Sequence, residues 1–305
     1  MGSITVKLQT QVCRIGEKLE GHIVVTPVRD EVAFLPSVIH SMARQTILPC
    51  EWIIVDDDST DGSREVLDKA SESFEWIKVV SADLESERAR GEKIARLVNL
   101  GLENASTEWS FFSKIDADMI LPDNYFEKII EQFDDDEELG IGSGNCFLGG
   151  ESKKIEKVES DHTRGGLKTY REECFSDIGG IREIDGWDGL DNKMAQYNGW
   201  KTKNFSGILA EHKRPTGEID GAISNFLSAG KKSHIMCYTW TFLIAKSLAS
   251  MLKRPRIIGG LCIITGFIRA KITRTERIKD KDLINFIRRQ QRIKLLRRIG
   301  MRFDS

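Results

Sequence analysis

The chain has 305 residues, of which 40% are hydrophobic and 30% are charged. This composition supports a packed core and excludes a wholly disordered protein. The net charge of −2 is distributed unevenly. Residues 231–305 contain 19 basic and 4 acidic residues and carry +15, whereas residues 1–230 contain 26 basic and 43 acidic residues and carry −17. A basic region beside an acidic body indicates an anionic partner for that region alone.

The cysteines and the N-terminal residues indicate a cellular compartment. Six cysteines are spread along the chain and none forms a C-x-x-C pair. This spacing predicts reduced thiols and not a zinc site or a disulfide framework. Residues 1–21 contain no apolar run long enough for a signal peptide, so we expect a cytoplasmic protein.

Short apolar runs alternate with segments of helical spacing along the first half of the chain. The predicted strands are residues 22–26, 51–55, 76–80 and 109–115, and the predicted helices are residues 35–45, 62–73 and 91–104. This alternation predicts an α/β fold with a mainly parallel sheet flanked by helices. Such sheets bind ligands at the carboxyl ends of their strands.

The second half continues with less regular spacing. A predicted helix over residues 122–133 precedes a strand over 140–147, and the glycine-containing polar segment 149–169 is interpreted as a mobile loop. Helices are predicted at residues 170–177 and 188–197, followed by a strand at 205–210.

Three polar motifs directly follow predicted strands. They are Thr26 to Glu31 (TPVRDE), Asp56 to Gly62 (DDDSTDG) and Asp116 to Asp118 (DAD). Carboxylates clustered at strand ends repel one another unless a cation or hydrogen-bond donors satisfy them. A hard divalent metal that also holds phosphates would do so. Lys114 shares a strand face with Asp116 and would either pair with it or reach a nucleotide.

The ordered set VTPVRDE, VDDDSTDGS and KIDADM resembles glycosyltransferase family 2, whose members are inverting transferases of the Rossmann-like GT-A fold. Segments 170–180 and 186–200 extend the resemblance, which covers about residues 21–217. It implies an N-terminal extension at 1–20, a GT-A domain at 21–230, and a helical, basic C-terminal region at 231–305.

The resemblance implies a role for each matched position on the donor side. Thr26, Pro27 and Glu31 would line the nucleoside pocket, and Asp57 would accept a hydrogen bond from the base. Arg96 would contact the donor, although Leu97 follows it where the family often has Asn.

Three further positions are implied as metal ligands. Asp116 would touch the ribose or the metal, and Asp118 would bind the metal. His212 follows the last predicted core strand, where it would complete the metal shell or serve as a hydrogen-bonded loop histidine. Imidazole suits Mn²⁺ better than Mg²⁺, and one of these two ions is the expected cofactor.

Inverting transfer needs a general base, because the acceptor hydroxyl loses its proton as it attacks the anomeric carbon. The family's usual Glu-Asp pair is replaced by Asp188-Gly189. We predict Asp188 as the base, with Asp185 and Asp191 as the alternatives. The structural alternative for Asp188 is an N-cap at a helix start.

The C-terminal region combines apolar and basic segments. Residues 235–252 and 257–268 are apolar but short or interrupted, and residues 282–299 place apolar side chains among arginines. This pattern favours helices that lie on an anionic membrane surface. The alternative is two core helices and a solvated basic helix. Nucleic acid is not expected as a partner, because no aromatic residues interleave with the arginines.

The sequence therefore predicts an inverting glycosyltransferase that moves a sugar from a nucleotide-sugar donor to a hydroxyl of a glycan or lipid-linked acceptor. We expect it to act in cell-envelope or lipid-linked glycan synthesis, as a cytoplasmic protein peripheral to the inner face of the cell membrane. One alternative is a sugar nucleotidyltransferase, although this sequence lacks the Gly-rich loop expected after the first strand of such an enzyme. The other alternative is a non-catalytic nucleotide- or glycan-binding module.

Overall fold

The computed structural model describes residues 14–15, 18–19, 21–82, 91–149, 154–155, 159–214, 221–252 and 256–298. The five cysteines within these ranges are free thiols, as predicted, and Cys13 lies outside them.

The described strands follow the predicted order, with four additional two-residue strands and one longer strand, β10, that was not predicted. In chain order they are β1 (Arg14–Ile15), β2 (Lys18–Leu19), β3 (His22–Val28), β4 (Glu51–Asp56), β5 (Ile77–Ser81), β6 (Phe111–Ile115), β7 (Met119–Ile120), β8 (Leu139–Leu148), β9 (Lys154–Ile155), β10 (Leu167–Arg171) and β11 (Lys201–His212).

The helices fall into two groups, six among the strands and four after the last strand. They are α1 (Leu35–Ala43), α2 (Ser63–Ser73), α3 (Glu92–Glu103), α4 (Tyr125–Asp134), α5 (Glu172–Asp177), α6 (Trp187–Tyr197), α7 (Gly221–Ile235), α8 (Trp240–Met251), α9 (Arg256–Ile272) and α10 (Lys281–Arg298).

The main sheet is mixed, with the strand order β5-β4-β3-β6-β10-β8-β11-β7. Strands β5, β4, β3 and β6 are parallel, and β8 and β11 are parallel to each other. Strand β10 runs antiparallel to both β6 and β8 and joins the two parallel parts. The predicted α/β fold with helices on both sheet faces and a helical C-terminal extension is confirmed.

Residues of β3 and β4 alternate between two hydrophobic cores. Val24 and Ile54 pack with α1, α2 and α4 on one face of the sheet. Ile23, Val25 and Ile53 pack with α3, α5 and α6 on the other face. Successive strand residues point to opposite faces, so the continuous apolar runs of these strands are buried on both sides.

Strand β10 corrects the predicted loop and helix around residue 170. We predicted a loop to residue 169 and a helix from residue 170, but residues 167–171 form a central strand. Lys168 is wholly buried there and forms an ion pair with Asp191 on α6. The sequence did not indicate a buried strand here, because the carboxylate that pairs with Lys168 lies on α6 and not in the same segment.

The C-terminal helices pack on one another through glycines. A Cβ on Gly230 of α7 would lie 2.1 Å from the carbonyl oxygen of Ile263 on α9. A Cβ on Gly266 of α9 would lie 2.1 Å from the carbonyl oxygen of Leu227 on α7. The two backbones therefore touch where neither residue has a side chain. The predicted domain boundary after residue 230 falls inside α7, so we propose that the helical region starts at Gly221.

Part of the helical region belongs to the core, and part of it is exposed. Leu283 and Ile287 of α10 join the core on the α6 face of the sheet, whereas the structural alternative for the tail had this basic helix solvated. By contrast, α8 and α9 expose large apolar side chains. None of the described helices is both long and apolar enough to span a lipid bilayer.

Candidate active site

The predicted motifs meet at one edge of the sheet, where β3, β4 and β6 end. Val28 at the end of β3 pairs with Asp56 at the end of β4. A pocket of about 210 Å³ lies at this edge, with Pro27, Glu31, Asp116 and Asp118 among its lining residues. These four predicted positions are thus brought together.

The loops that follow β3 and β4 are tied to each other by hydrogen bonds. Asp30 accepts from the backbone N–H of Thr60 at 2.8 Å, and Ser63 Oγ accepts from the backbone N–H of Glu31 at 2.8 Å. Asp30 and Asp58 both have a φ of 54°, a conformation that Asp tolerates better than most residues. The two loops therefore form one fixed wall of the pocket.

Asp57 is wholly buried between two cations. Its Oδ2 lies 3.0 Å from Arg29 Nη1 and 2.8 Å from Lys93 Nζ. Its Oδ1 has no hydrogen-bond partner among the described residues. A buried carboxylate oxygen without a donor costs free energy, and a ligand N–H would satisfy it.

Two predicted donor residues lie elsewhere. Thr26 is wholly buried, and its Oγ1 accepts from the indole N–H of Trp52 at 2.9 Å, so its side chain belongs to the core and not to the pocket wall. Arg96 pairs with Glu92 on its own helix and with Glu183 at 3.3 Å. Arg96 lies on the side of α3 that faces away from the pocket. Lys93, one turn earlier on the same helix, forms the ion pair with Asp57 instead.

Arg214 closes the pocket from the far end of the sheet. It forms an ion pair with Glu31, and its Nε lies 3.9 Å from Asp118 Oδ2. Its guanidinium also lies over the ring of Phe34, 5.1 Å from the centroid. A cation held between two carboxylates at the pocket mouth is placed to attract a phosphate group.

Two of the three predicted metal ligands, Asp118 and His212, lie beside each other. The third, Asp116, is paired with Lys114. His212 Nε2 lies 3.4 Å from Asp118 Oδ2, because β11 pairs with β7 directly after the Asp-x-Asp motif. Asp116 Oδ1 accepts from Lys114. No three His, Cys, Asp or Glu side chains of the described residues converge as a metal-binding group.

This donor set still fits a divalent ion that carries a nucleotide. Such ions take one or two protein ligands and complete their shell with phosphate oxygens and water. Asp118 and His212 supply one oxygen and one nitrogen, a combination that suits Mn²⁺. Asp116 would join them if its ion pair with Lys114 opened.

A second cavity of about 360 Å³ connects the Asp-x-Asp motif to the predicted base. Asp116, His212, Trp187 and Asp188 are among its lining residues. Gly166 allows β10 to approach the motif, because a Cβ there would lie 2.4 Å from Asp116 Oδ2.

Asp188 presents a charged carboxyl to this cavity. It lies in the first turn of α6, whose N-cap is Gly186 with a φ of 87°, so the capping role is not its own. Burial alone would raise the pKa of the Asp188 carboxyl, but the positive charges of Lys232 and Lys168 outweigh burial and hold that pKa below its usual value. The carboxylate is therefore ionised at neutral pH and able to accept a proton.

The two alternative bases are engaged in ion pairs. Both carboxylate oxygens of Asp191 accept from Lys168 Nζ, at 2.5 and 2.6 Å, and Oδ2 also accepts from Tyr170 at 2.5 Å. Asp185 lies 3.1 Å from Lys231 and 3.8 Å from Lys232. Of the three candidates, Asp188 alone lines the cavity that reaches the Asp-x-Asp motif.

Sequence reasoning missed several charged side chains of the site. Arg29 lies inside the motif TPVRDE, so its place in the site could have been predicted. Lys93 and Lys168 carry no local signal, because their partners are distant along the chain. Lys232, which lines the cavity at Asp188, was assigned to the tail and not to the site.

Comparisons with known proteins agree with this geometry. The family model described as "Glycosyl transferase family 2" matches residues 23–180. None of the curated proteins matches the chain. Among solved structures, S. aureus TarS 1-349 in complex with UDP-GlcNAc is 17% identical, with a TM-score of 0.55 over 93% of this chain and 94% of that one.

Two further structures share the fold at similarly low identity. The mannosyltransferase PcManGT from Pyrobaculum calidifontis, in complex with GDP-Man and Mn²⁺, is 13% identical, with a TM-score of 0.54 over 90% of this chain and 80% of that one. GalNAc-T7 with UDP, GalNAc and Mn²⁺ is 15% identical, with a TM-score of 0.54 over 72% and 48%. Against a longer TarS chain, the protein spans 39% of that chain's length.

The family model covers more than half of the chain, including all three polar motifs and the central strand β10. The structural neighbours are glycosyltransferases with the GT-A fold. The chain belongs to glycosyl transferase family 2 and is a glycosyltransferase of GT-A fold.

Proposed function

We propose that the protein is an inverting transferase that moves a sugar from a nucleotide-sugar to a hydroxyl group, with Asp188 as the general base. The observation that carries the proposal is the shared cavity of about 360 Å³ lined by both Asp116 and Asp188. In-line displacement requires the leaving diphosphate and the proton acceptor to lie on opposite sides of the anomeric carbon. One cavity with a phosphate-side motif and an ionised carboxylate meets that requirement.

In the transfer step, the acceptor oxygen forms a bond to the anomeric carbon while the bond from that carbon to the diphosphate breaks. The electron pair of the broken bond leaves with the nucleoside diphosphate, and the hydroxyl proton moves to Asp188. A positioned carboxylate base contributes roughly 10²–10⁴-fold to the rate. The replacement Asp188→Asn keeps the shape of the side chain and removes the proton acceptor.

The donor nucleotide would occupy the pocket of about 210 Å³ beside β3 and β4. Asp57 Oδ1, buried and without a partner among the described residues, would accept a ring N–H of the base. Arg29 and Lys93 hold this carboxylate in place through ion pairs. Uracil and guanine each carry such an N–H, and two of the structural neighbours contain UDP-GlcNAc and GDP-Man.

Asp118 and His212, with Asp116, would hold Mn²⁺ or Mg²⁺ at the diphosphate. When bound, the ion would supply positive charge for the phosphate oxygens of the leaving group. Lys114 would then act as a counter-ion for Asp116 in the absence of metal, and Arg214 would contribute a second cation near Asp118. The neighbours that contain Mn²⁺ support this assignment.

The first experiment identifies the donor. Thermal unfolding of the protein is measured with a panel of nucleotide-sugars, with and without Mn²⁺, since a ligand at 100 times its Kd adds about 2.7 kcal/mol to stability. The matched variant Asp57→Asn should lose most of this stabilisation, whereas the surface variant Glu65→Gln should keep it. Equal stabilisation of Asp57→Asn and the unaltered protein would contradict the nucleotide site.

The second experiment tests inversion with water as the acceptor. An α-linked donor should release its sugar first as the β-anomer, as followed by proton NMR before mutarotation. Asp188→Asn should reduce this release by about 10² or more while it retains donor binding. Initial release of the α-anomer would refute the inverting mechanism.

We also propose that the protein acts at the inner face of the cell membrane, held by α8 and α9. Trp240, Ile244 and Leu248 follow one another at helical spacing on α8 and are about half exposed. On α9 the exposed large apolar residues are Ile257, Ile258, Leu261, Ile268 and Ile272. Arg256, Arg269 and Lys271 flank them, so the surface suits an anionic bilayer.

Flotation with phosphatidylglycerol vesicles tests the membrane surface. The double variant Leu248→Glu/Leu261→Glu should remain at the bottom of the gradient, whereas Ile155→Glu, which alters an equally exposed apolar residue on β9, should float with the unaltered protein. Flotation of the double variant at low salt would show that apolar insertion plays no part. An acceptor in lipid-linked or cell-envelope glycan synthesis is consistent with this location.

A further inference from the structure

A further cavity lies between the catalytic domain and the C-terminal helices. It has a volume of about 490 Å³, and its walls come from α6, α7, α8 and α10. Asp188, His162 and Lys232 line both this cavity and the cavity of about 360 Å³ at the Asp-x-Asp motif. The proposed base therefore stands where the two cavities meet, and the larger cavity gives a second approach to it.

The charges of the larger cavity are unbalanced toward cations. Lys193, Lys232, Lys246 and Lys294 contribute to the lining. Lys294 is neutralised by Glu159 at 2.6 Å and Asp161 at 3.5 Å. Lys232 lies 3.8 Å from Asp185, and Lys193 donates to Gln196 Oε1 at 2.8 Å.

Lys246 is the most unusual of these cations. Its Nζ donates to Ser233 Oγ at 3.0 Å and approaches the carbonyl oxygen of Ala229 at 3.5 Å, and it forms no ion pair with a described carboxylate. Burial, reinforced by the charge of Lys232, lowers the pKa of the Lys246 ammonium to about 8. At neutral pH it is still a cation, 5.3 Å from the centroid of the Tyr238 ring and without a counter-ion among the described residues, and an anionic ligand would provide one.

Apolar side chains also line the cavity. Met236, Tyr238, Phe242, Ala245 and Ala249 contribute to it. Helix α8 thus lines the cavity with one face, while Ile244 and Leu248 on another face are exposed beside the proposed membrane surface. A ligand with an apolar chain that lies along α8 would contact the cavity wall and the bilayer together.

We propose that this cavity is the acceptor subsite and that it binds an amphiphilic phosphate, a lipid-linked phosphate whose anionic group lies at Lys246 and whose hydroxyl reaches Asp188. The assignment rests on the proposed transferase activity and names its acceptor class. The acceptor oxygen forms the bond to the sugar, its proton passes to Asp188, and the diphosphate leaves with the nucleoside. The phosphate of the acceptor is bound by charge and takes no part in bond making.

Direct binding tests the subsite without knowledge of the natural acceptor. The probe is octyl phosphate below its micellar concentration, with inorganic phosphate and octyl glucoside as the comparison ligands. Titrations followed by calorimetry use the full chain, and we expect octyl phosphate to bind at least tenfold more tightly than either comparison ligand. Lys246→Gln should weaken octyl phosphate binding at least tenfold and leave octyl glucoside binding unchanged.

Two further variants control for charge and folding. Lys279→Gln removes an exposed lysine that pairs only with Glu276 among the described residues, and it should bind octyl phosphate like the unaltered protein. Lys246→Arg keeps the charge and should bind octyl phosphate more tightly than Lys246→Gln, which distinguishes loss of charge from local unfolding. Equal binding of octyl phosphate by Lys246→Gln and the unaltered protein would overturn the proposal, as would equal binding of octyl phosphate and inorganic phosphate.

Failure of the subsite and failure of the transferase proposal are separable. Mn²⁺-dependent binding of nucleotide-sugars and release of sugar to water depend on the donor pocket and on Asp188, and both are measured with the unaltered protein. If these donor reactions persist while octyl phosphate does not bind, the acceptor class is wrong and the transferase proposal stands. If octyl phosphate binds at Lys246 but no nucleotide-sugar stabilises the protein, the transferase proposal fails.

Discussion

Asp191→Asn and Asp188→Asn separate a structural carboxylate from a catalytic one three residues away. Asp191 is almost completely buried, and its carboxylate accepts hydrogen bonds from Lys168 and Tyr170. Its backbone neighbour Asn192 donates a further hydrogen bond to Oδ1 at 2.6 Å. Removal of one partner of a buried ion pair costs about 3–5 kcal/mol, because the other charge remains buried without compensation.

We therefore expect Asp191→Asn to lower the free energy of unfolding by about 3–5 kcal/mol. Asp188 has neighbouring cations, but its carboxyl faces the cavity, and we expect Asp188→Asn to change stability by about 1 kcal/mol or less. Urea unfolding at pH 7, followed by circular dichroism, measures both changes. A substitution that alters only stability shifts the urea concentration at the midpoint and leaves the dependence of the free energy on urea unchanged. Lys168→Met should match Asp191→Asn, because it breaks the same pair from the other side.

The two carboxylates should show opposite profiles of stability and transfer. Asp188→Asn should unfold like the unaltered protein and lose sugar release, and Asp191→Asn should lose stability first. If Asp191→Asn has unchanged stability and no transfer, while Asp188→Asn remains active, Asp191 is the base and the argument from ion pairing is refuted.

Further predictions concern the donor pocket and the helical region. Arg96→Ala should leave UDP and GDP affinity within about twofold by calorimetry, because Arg96 pairs outside the pocket; Asp118→Ala should abolish the Mn²⁺-dependent part of that affinity. Gly266→Ala should lower stability to urea by about 1–3 kcal/mol, since its Cβ would meet the Leu227 carbonyl. Lys246→Met should raise stability at pH 7 by about 1–3 kcal/mol, because the pKa of Lys246 falls from 10.5 unfolded to about 8 folded. The destabilisation by this charge is complete below pH 8 and disappears as the pH rises toward 10.5, so the gain should shrink over that window in urea titrations.

The strands that carry the motifs could be predicted because their residues are apolar on both faces. Val24 and Ile53 belong to such runs, and the polar residues directly after them mark the edge where ligands bind. Strand β10 could not be predicted, because its second residue, Lys168, is a buried lysine whose partner, Asp191, follows 23 positions later. A long-range ion pair leaves no local pattern.

The choice among the acidic residues of the acceptor motif also needed tertiary contacts. Asp185, Asp188 and Asp191 lie three positions apart in one short segment. The sequence alone therefore does not show which of the three carboxylates is the base. Their distinction comes from Lys168 on β10 and from Lys231 on α7, both far along the chain. Ion pairing with distant lysines occupies two of the carboxylates and leaves Asp188 at the cavity.

The departures from the family pattern have physical explanations that preserve the site. Asp58 stands where the family usually has Gly, and its φ of 54° is the conformation that favours glycine there; Asp adopts it at modest cost. Leu97 replaces the usual Asn and is nearly completely buried at the donor pocket, where Lys93 supplies the polar contact instead.

Gly189 replaces an acidic residue and lines the large cavity beside Asp188. A Cβ at Gly189 would have its nearest contact at 3.9 Å, from Met236, which directly follows α7, so the backbone here does not require glycine. The missing side chain instead widens the passage between the proposed base and the C-terminal helices. A non-catalytic module has no need for an ionised carboxylate at the junction of two cavities. The residues at positions 58, 97 and 189 are therefore compatible with the proposed enzyme, whose acceptor would enter from the helical side.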